Sequence, residues 1–192
     1  MTRLLAVVAL GLVAAGAAGC SEEPADEVVV AYPARLAVPE RSDYRGGDES
    51  PYAEDAVARL DLEDGSRAVA WIDPRDIARV LVQVSDPDDP SRWTEPTTVV
   101  RAGDGCLDLA LDAAGGTIAL GVSCYAVETF AQQAPDKSFA AVTTDRVDWD
   151  LEEVDRESDP QPEVLDDGEA VRWTNGALGD EVVVEWSRDG GF

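Results

Sequence analysis

Short apolar segments separated by turn residues fill the chain from residue 58 onwards. Ten of them run between residues 58 and 189, are rich in Val, Leu and Trp, and are separated by Gly, Pro or Asp. Several alternate apolar and polar side chains, as in CLDLALD, and none carries a long apolar stripe of helical period. Spacing of this kind is typical of antiparallel β-proteins. The pattern therefore predicts a single all-β domain over residues 28–192.

Two further segments precede these strands. The β-branched run at residues 28–32 is stopped by Pro33 and predicts an additional strand. Residues 37–55 contain Gly and Pro without periodicity and predict a long loop that carries Tyr44 and Tyr52. Long loops in compact domains are often functional. The two tyrosines would either contact a ligand or pack onto the domain.

Three units of the chain share one order of features: strand, Asp/Gly turn, strand, longer loop, strand, and a Ser/Thr-Asp turn before an aromatic residue. They lie near residues 58–101, 106–150 and 162–192. A period of about 50 residues is in the range of propeller blades, so we predict propeller-like antiparallel blades, with a β-sandwich as the alternative. Propellers usually have at least four blades. Residues 28–57 would supply a degenerate fourth blade, the strand at 28–32 would close the last one, or the propeller is truncated.

The last turn of each unit resembles the Asp-box, or bacterial neuraminidase repeat, whose pattern is Ser-x-Asp-x-Gly-x-x-Trp. The residues that carry the resemblance are Ser187, Asp189 and Gly191 in the last unit and Thr143, Asp145 and Trp149 in the middle unit, which lacks the Gly. In that family the Asp side chain bonds backbone amides of the turn, and the aromatic residue packs between strands. The box occurs in sialidases, other glycosidases and non-catalytic propellers, so the resemblance implies a fold and no activity.

The first twenty residues have the order of a secretory signal: basic Arg3, an uncharged apolar run over residues 4–18, and small residues before Cys20. The sequence Ala-Ala-Gly-Cys resembles the lipobox of bacterial lipoprotein signals. The resemblance implies that residues 1–19 are removed, that Cys20 carries lipid and that residues 20–27 form an acidic tether. A cleaved signal without lipid and a retained transmembrane helix are the alternatives. The apolar run is shorter than the roughly 20 residues that a spanning helix needs.

In an exported chain, the other two cysteines, Cys106 and Cys124, predict a disulfide. Free thiols or a soft-metal site are the alternative, although two thiols in a sequence without His make a poor metal site. The hairpin between them fits this pairing only with an irregularity. A two-residue turn at 114–115 would put the cysteines on opposite faces. A bulge near Gly105, or a twist at the strand ends, would reconcile the register with the disulfide.

The charge and composition of the chain exclude several classes of function. Its formal net charge is −25, with 40 Asp and Glu against 15 Lys and Arg. Such a surface repels nucleic acid and anionic lipid headgroups, so the lipid itself must provide the membrane anchor. It keeps the protein soluble and attracts cations. The sequence contains no His, which excludes Ser-His-Asp and Cys-His nucleophiles and histidine-ligated zinc.

The acidic side chains suggest two kinds of chemistry. The densest acidic turn holds Asp86, Asp88 and Asp89, and its oxygen atoms suit calcium, although a solvated turn is the simpler interpretation. We otherwise predict no cofactor. Glycoside hydrolysis needs two carboxylates in one cleft, but among 40 acids no motif selects a pair. The sequence therefore identifies no catalytic residue.

Together these features predict an acidic cell-envelope lipoprotein, anchored to the cell membrane by its N-terminal lipid, with its β-domain on the extracytoplasmic face. We predict that the domain is not an enzyme and that it binds or scaffolds an unidentified envelope protein or glycan. The alternative is a degenerate or partial glycosidase of the sialidase-like propeller type.

Overall fold

The computed structural model describes residues 28–44, 56–103, 105–125, 135–154, 158–176 and 181–192. Within these ranges the chain forms eleven β-strands in three antiparallel sheets. The helical elements of this part of the chain are two short 3-10 helices, Arg41–Asp43 and Asp166–Gly168. No helix in these ranges has the length and apolar character needed to cross a membrane. The prediction of an all-β protein is confirmed.

The first sheet is an antiparallel meander of four strands paired in chain order. Its strands are β1 (Val57–Asp61), β2 (Arg67–Asp73), β3 (Asp76–Val84) and β4 (Thr97–Arg101). Central strands β2 and β3 bury side chains on both faces: Ile72 and Val82 on one, Trp71 and Leu81 on the other. Burial on both faces explains why these two strands are nearly continuous apolar runs in the sequence.

The second and third sheets are also meanders. The second pairs β5 (Gly105–Ala114), β6 (Thr117–Tyr125), β7 (Lys137–Thr143) and β8 (Asp150–Val154) in that order. The third pairs β9 (Pro160–Leu165), β10 (Ala170–Asn175) and β11 (Val182–Ser187), with β10 in the centre. The bounds of the three sheets lie close to those of the sequence units near 58–101, 106–150 and 162–192.

The second sheet is the middle layer of the structure. On one face, Leu120 and Val122 of β6 belong to the same buried cluster as Ile72 of the first sheet. On the other face, Val142 of β7 belongs to a cluster with Trp173 of the third sheet. The indole N–H of Trp173 also donates to the Leu120 carbonyl at 3.2 Å. The second sheet therefore has one buried layer of side chains on each of its two faces.

The β5–β6 hairpin turns one residue later than the sequence pattern suggests. Ala114 pairs with Thr117, so the turn residues are Gly115 and Gly116 and the expected turn at 114–115 is wrong. The two glycines have φ angles of 53° and 82°. A tight hairpin turn with positive φ at both positions favours Gly at both, and the consecutive glycines meet that requirement where an Ala-Gly pair does not.

The predicted disulfide is present between Cys106 and Cys124, whose sulfur atoms lie 2.18 Å apart. The pairing register shifts between Cys106 and Asp108, so Leu107 is a bulge residue. The bulge places the two cysteines directly opposite each other. The disulfide and the alternating hairpin are therefore compatible, and the irregularity lies one or two residues beyond Gly105.

The strand expected at residues 28–32 is wrong. This segment forms no strand, and Val29 is 86% exposed. Pro33 has no N–H to donate, and the first backbone pairing comes at Ala34, which exchanges hydrogen bonds of 2.9 and 3.0 Å with Trp93. The segment therefore lies beside the first sheet and does not close the third. Of the predicted loop, residues 45–55 lie outside the described residues.

Candidate functional site

A groove with a volume of about 610 Å³ opens on the face of the first sheet that carries Trp71 and Leu81. The opposite face of this sheet packs against the second sheet. One wall of the groove comes from the segment before β1, and another comes from the β2–β3 turn. We call it the polar groove and define it by Asp43, Trp71, Asp73, Arg75, Arg79 and Leu81.

The buried side chain of Gln83 holds the outer wall of the polar groove in place. Its carbonyl oxygen accepts a hydrogen bond from the Ala37 N–H at 2.8 Å. Its amide nitrogen donates to the carbonyls of Arg35 at 3.2 Å and Thr94 at 2.6 Å. Gln83 and Arg79 point to the same face of β3, because they are four residues apart in a strand. One face of β3 is therefore polar enough to bind a separate segment of backbone.

An ion pair between two neighbouring strands lines the polar groove. The Arg79 Nη2 atom lies 3.4 Å from Oδ2 of Asp73, and the two side chains are 30% and 15% exposed. The other oxygen of Asp73 accepts a hydrogen bond from the Arg75 N–H at 2.9 Å. The Arg79 Nε is buried without a hydrogen-bond partner and is the only such side-chain atom among the described residues. Such an unmet donor costs roughly 1–3 kcal/mol, so a rotation of the Arg79 side chain that gave it an oxygen partner would be favourable.

Asp43 lines the polar groove, whereas its neighbour Tyr44 belongs to the buried cluster on the opposite face of the first sheet. Asp43 Oδ2 accepts a hydrogen bond from the Glu40 N–H at 2.8 Å, which caps the 3-10 turn between them. Tyr44 is buried, and its hydroxyl donates to the Ile72 carbonyl at 2.8 Å. Burial, aided by the negative charges of Asp73 and Asp43, raises the pKa of Tyr44 to about 12. Tyr44 therefore packs onto the domain; Tyr52 lies outside the described residues.

A smaller cleft of about 230 Å³ lies between the β1–β2 turn and the β5–β6 turn. Its walls include the apolar side chains of Leu62, Ala113 and Ile118. Arg146 of the β7–β8 turn lines it, and its Nη2 donates to Asp64 Oδ2 at 2.5 Å. We call this the turn cleft. Two of its charged groups, Arg146 and Asp64, are paired with each other, which suits a contact between sheets better than a ligand site.

The middle predicted turn is held together by Asp145. Its Oδ1 accepts hydrogen bonds of 2.9 Å from the N–H groups of Val147 and Asp148, and one of 3.1 Å from the Thr143 hydroxyl. Burial opposes ionisation, but these bonds outweigh it and hold the pKa of Asp145 below its usual value. Trp149 follows and packs against the buried clusters of the first and second sheets. Both roles are structural.

The last predicted turn has a different arrangement. The Ser187 hydroxyl accepts a hydrogen bond from the Gly190 N–H at 3.2 Å. Gly191 adopts a φ of 69°, and its N–H donates to the Ser187 carbonyl at 2.8 Å. The carboxylate of Asp189 is exposed at the tip of the turn. Phe192 then lies 5.5 Å from the ring of Trp173, measured between centroids.

In the acidic turn that is the calcium candidate, the carboxylates of Asp86 and Asp89 bond groups of the same turn. Asp86 Oδ1 accepts from the Asp88 N–H at 3.0 Å, and its Oδ2 lies 3.4 Å from the Arg92 guanidinium. Asp89 Oδ1 accepts from the hydroxyl and N–H of Ser91 at 2.6 and 3.1 Å. Within the described ranges, no group of three or more His, Cys, Asp or Glu side chains is arranged to hold a metal ion. The lipidation candidate, Cys20, lies outside those ranges.

Sequence reasoning did not identify the residues of the polar groove, although one signal was present. In β3, Val80, Val82 and Val84 occupy one face, whereas Arg79 and Gln83 share the other face with Leu81. Two long polar side chains on one face of an otherwise apolar strand indicate that this face meets something other than a sheet. The partner of that face, the segment around Ala37, gives no matching signal of its own.

No protein-family model matches this sequence, and no curated protein matches it. Among solved structures, the chain is similar to an exo-β-1,3-galactanase from Clostridium thermocellum, with a TM-score of 0.39 and 15% sequence identity. The similarity covers 68% of this chain and only 31% of the galactanase. A similarity at this level supports no conclusion about the activity or the ligand of this protein.

Proposed function

We propose that this protein is a lipid-anchored protein of the bacterial cell envelope whose β-domain faces outward and binds an envelope component without catalysis. The polar groove is the proposed binding site. The observation that carries the proposal is the Arg79 Nε, a buried charged donor without a partner, on a residue that lines a groove of about 610 Å³. Buried polar groups in native structures are nearly always satisfied, and an oxygen atom of a bound ligand would satisfy this one.

The bonding of the groove carboxylates favours binding over catalysis. Glycoside hydrolysis needs one carboxyl group that gives up a proton and a second that stabilises or attacks the sugar. Asp73 accepts hydrogen bonds from the backbone of Arg75 and pairs with Arg79, and Asp43 caps the turn at Glu40. Both carboxylates therefore hold the walls of the groove. Their presence in one groove is the feature that favours the alternative, a degenerate or partial glycosidase.

We propose a propeller-like arrangement for the three sheets. Each sheet is a meander, and the first strand of each later sheet packs against the sheet before it: β5 contacts β1, β2 and β3, and β9 contacts β5, β6 and β7. Successive meanders packed in this order are the building pattern of propeller blades. A β-sandwich has two layers, whereas the described residues form three. The sandwich remains the alternative architecture.

The membrane anchor in this proposal is lipid on Cys20. The apolar run before it is too short for a spanning helix, and a net charge of −25 repels anionic headgroups. We expect Cys20→Ala to move the protein from the membrane fraction to the soluble fraction of the producing cell. Membrane association that is unchanged in Cys20→Ala would contradict the lipid anchor.

The binding proposal is tested with the full-length protein and purified, insoluble cell-wall sacculi from a lipoprotein-producing bacterium. We expect the wild-type protein to co-sediment with the sacculi and Arg79→Ala to lose at least about tenfold in affinity, since it loses a charge-assisted bond. Arg172→Ala, which removes an exposed ion pair on the third sheet, is the matched control. Equal binding of wild type and Arg79→Ala would exclude the groove, and turnover of a glycoside that is lost in Asp73→Asn would replace binding by catalysis.

A further inference from the structure

The charges of the polar groove cancel. Its four ionised side chains are two carboxylates and two guanidiniums, Asp43 and Asp73 against Arg75 and Arg79. The chain as a whole carries a formal charge of −25, so a neutral groove stands out from its surroundings. An anionic ligand would be repelled by the whole molecule and would meet no net positive charge in the groove. A cationic ligand would be attracted by the whole molecule but would meet no net negative charge in the groove to hold it there.

The groove offers donors and acceptors side by side. Arg79 Nε is an unpartnered donor, and its guanidinium also pairs with Asp73 at 3.4 Å, a distance longer than that of a close charge-assisted hydrogen bond. Asp73 is partly exposed and, as an acceptor with two oxygens, has capacity beyond its present bonds. A group that can accept from Arg79 and donate to Asp73 at the same time would satisfy both. A hydroxyl is the simplest such group.

The remaining surface of the groove is apolar and stiff. Trp71 and Leu81 line it, together with Pro39, Pro74 and Pro96. Proline rings and a buried indole lose little conformational freedom when they are covered. Such a surface suits the C–H faces of a ring compound, and the volume of about 610 Å³ lies within the usual range of ligand pockets.

We propose that the polar groove binds a neutral, hydroxyl-rich ligand, namely an uncharged segment of a glycan. This inference rests on the proposed function and names the ligand class of the same site. The Arg79 side chain is 30% exposed and has to rotate to bring its buried Nε into the groove. One sugar hydroxyl then accepts from Nε and donates to Asp73, while the ring lies against Trp71 and the prolines. A zwitterionic peptide also matches a groove of balanced charge, but its carboxylate would have to compete with Asp73 for Arg79, whereas a hydroxyl joins the existing pair.

The test is calorimetric titration of the full-length protein, held in a detergent without a sugar headgroup, with a panel of defined probes. The neutral probes are oligosaccharides of glucose, mannose, galactose and arabinose; the charged probes are oligogalacturonate and the dipeptide glycylglycine. We expect saturable binding of at least one neutral oligosaccharide. Its affinity should change less than about twofold when NaCl is raised from about 50 mM to about 500 mM, because no net charge is neutralised.

Two variants connect this binding to the groove. Arg79→Lys keeps the positive charge but removes the Nε–H, and we expect it to weaken neutral oligosaccharide binding at least about tenfold. Arg172→Lys, the same exchange on the third sheet, should bind like the wild type. Thermal unfolding of Arg79→Lys is measured in parallel, so that a loss of folded protein is distinguished from a loss of binding.

The outcomes separate this inference from the proposed function. Binding only of oligogalacturonate or of glycylglycine overturns the neutral-glycan inference. So does a failure of every neutral probe while Arg79-dependent sedimentation with sacculi persists; in that case the binding function stands and its ligand class is wrong. If a neutral oligosaccharide binds equally well to Arg79→Lys, the groove is not its site. If both the neutral probes and the sacculi fail to bind, both proposals fall.

Discussion

Arg146 and Asp64 form an ion pair, with Nη2 and Oδ2 2.5 Å apart, that joins the β7–β8 turn of the second sheet to the β1–β2 turn of the first. Arg146 has a φ of 67°, a left-handed conformation that costs a side-chain-bearing residue free energy. Its Nη1 also approaches the Tyr32 hydroxyl at 3.5 Å. One strained residue therefore connects two sheets and the N-terminal segment. Mutations of Arg146 can separate the free energy of its ion pair from that of its backbone strain.

Substitutions of Arg146 should separate the ion pair from the backbone strain. Arg146→Ala loses the pair and keeps the strain, so we expect it to lower the free energy of unfolding by about 1 kcal/mol. Arg146→Gly loses the same pair but relieves the positive φ, and we expect it to be more stable than Arg146→Ala by about 1 kcal/mol. Denaturant unfolding measures both. Arg172→Ala, which removes an exposed pair with Glu185, is the control; equal stabilities of the Ala and Gly variants would contradict the strain.

Asp64 should give the protein part of its resistance to acid. Burial opposes its ionisation, but hydrogen bonds from Ser66 and Arg146 outweigh that effect, so the pKa of Asp64 in the folded protein is lowered. Its contribution to stability is complete above the unfolded pKa near 4 and is lost as the pH falls through the lower folded pKa.

We therefore expect Asp64→Asn to lower Tm at neutral pH and to approach the wild type as the pH falls below about 4. Melting curves at a series of pH values measure this convergence. Asp189→Asn, at an exposed turn tip, is the control and should follow the wild type throughout. A Tm difference between Asp64→Asn and wild type that is constant with pH would show that the carboxylate does not titrate as proposed.

The strands were predictable because short apolar segments are separated by turn residues, whereas the details of pairing depend on single residues. The β5–β6 turn uses Gly115 and Gly116 because both positions have positive φ. The alternation of Leu residues is compatible with either turn position, so only the backbone requirement selects the glycines. The bulge at Leu107 is needed to bring the cysteines together. Sequence alone indicates that an irregularity is required there but does not fix its residue.

The polar face of β3 was the one local signal of the polar groove, and it does not reveal the outer wall, because that wall is placed by contacts between distant residues. Gln83 bonds Ala37 and Arg35, which lie 46 and 48 residues away in the sequence. Neither backbone group differs in the sequence from any other loop position. The segment at 28–32 shows the converse: its β-branched residues favour a strand, but it pairs with no strand in the structure, so propensity alone was misleading.

Tyr44 should contribute to stability in a way that is lost at high pH. Its buried hydroxyl donates to the Ile72 carbonyl, and burial with nearby Asp73 and Asp43 raises its pKa to about 12. The folded protein holds this proton more tightly than the unfolded chain, so the contribution is complete below about pH 10 and is lost as the pH rises through the folded pKa.

We expect Tyr44→Phe to lower the free energy of unfolding by about 1–2 kcal/mol at neutral pH, because the Ile72 carbonyl is left without its partner. The difference from wild type should shrink above about pH 10. Denaturant unfolding at several pH values measures it. Tyr32→Phe, which removes only a 3.5 Å contact with Arg146, is the control. A Tyr44→Phe effect no larger than that of the control would contradict a strong buried bond.

Gly121 should be essential for the approach of the second and third sheets. A Cβ atom at this position would lie 1.7 Å from the Pro160 carbonyl oxygen and 2.8 Å from its carbon. These are backbone atoms that no side-chain rotation can move away, so the whole of strand β9 would have to shift. Because Gly121 does not need a positive φ, the effect of a substitution is steric.

We expect Gly121→Ala to lower the free energy of unfolding by about 1–3 kcal/mol, the usual range for overpacking, or more. Gly103→Ala, which would add a Cβ with no atom within 4 Å, is the matched control and should be near neutral. Movement of the third sheet would also expose Trp173, which is fully buried between the sheets, so tryptophan emission should shift to the red in Gly121→Ala. If Gly121→Ala matches Gly103→Ala in stability and emission, the two sheets do not pack as closely as the structure has them.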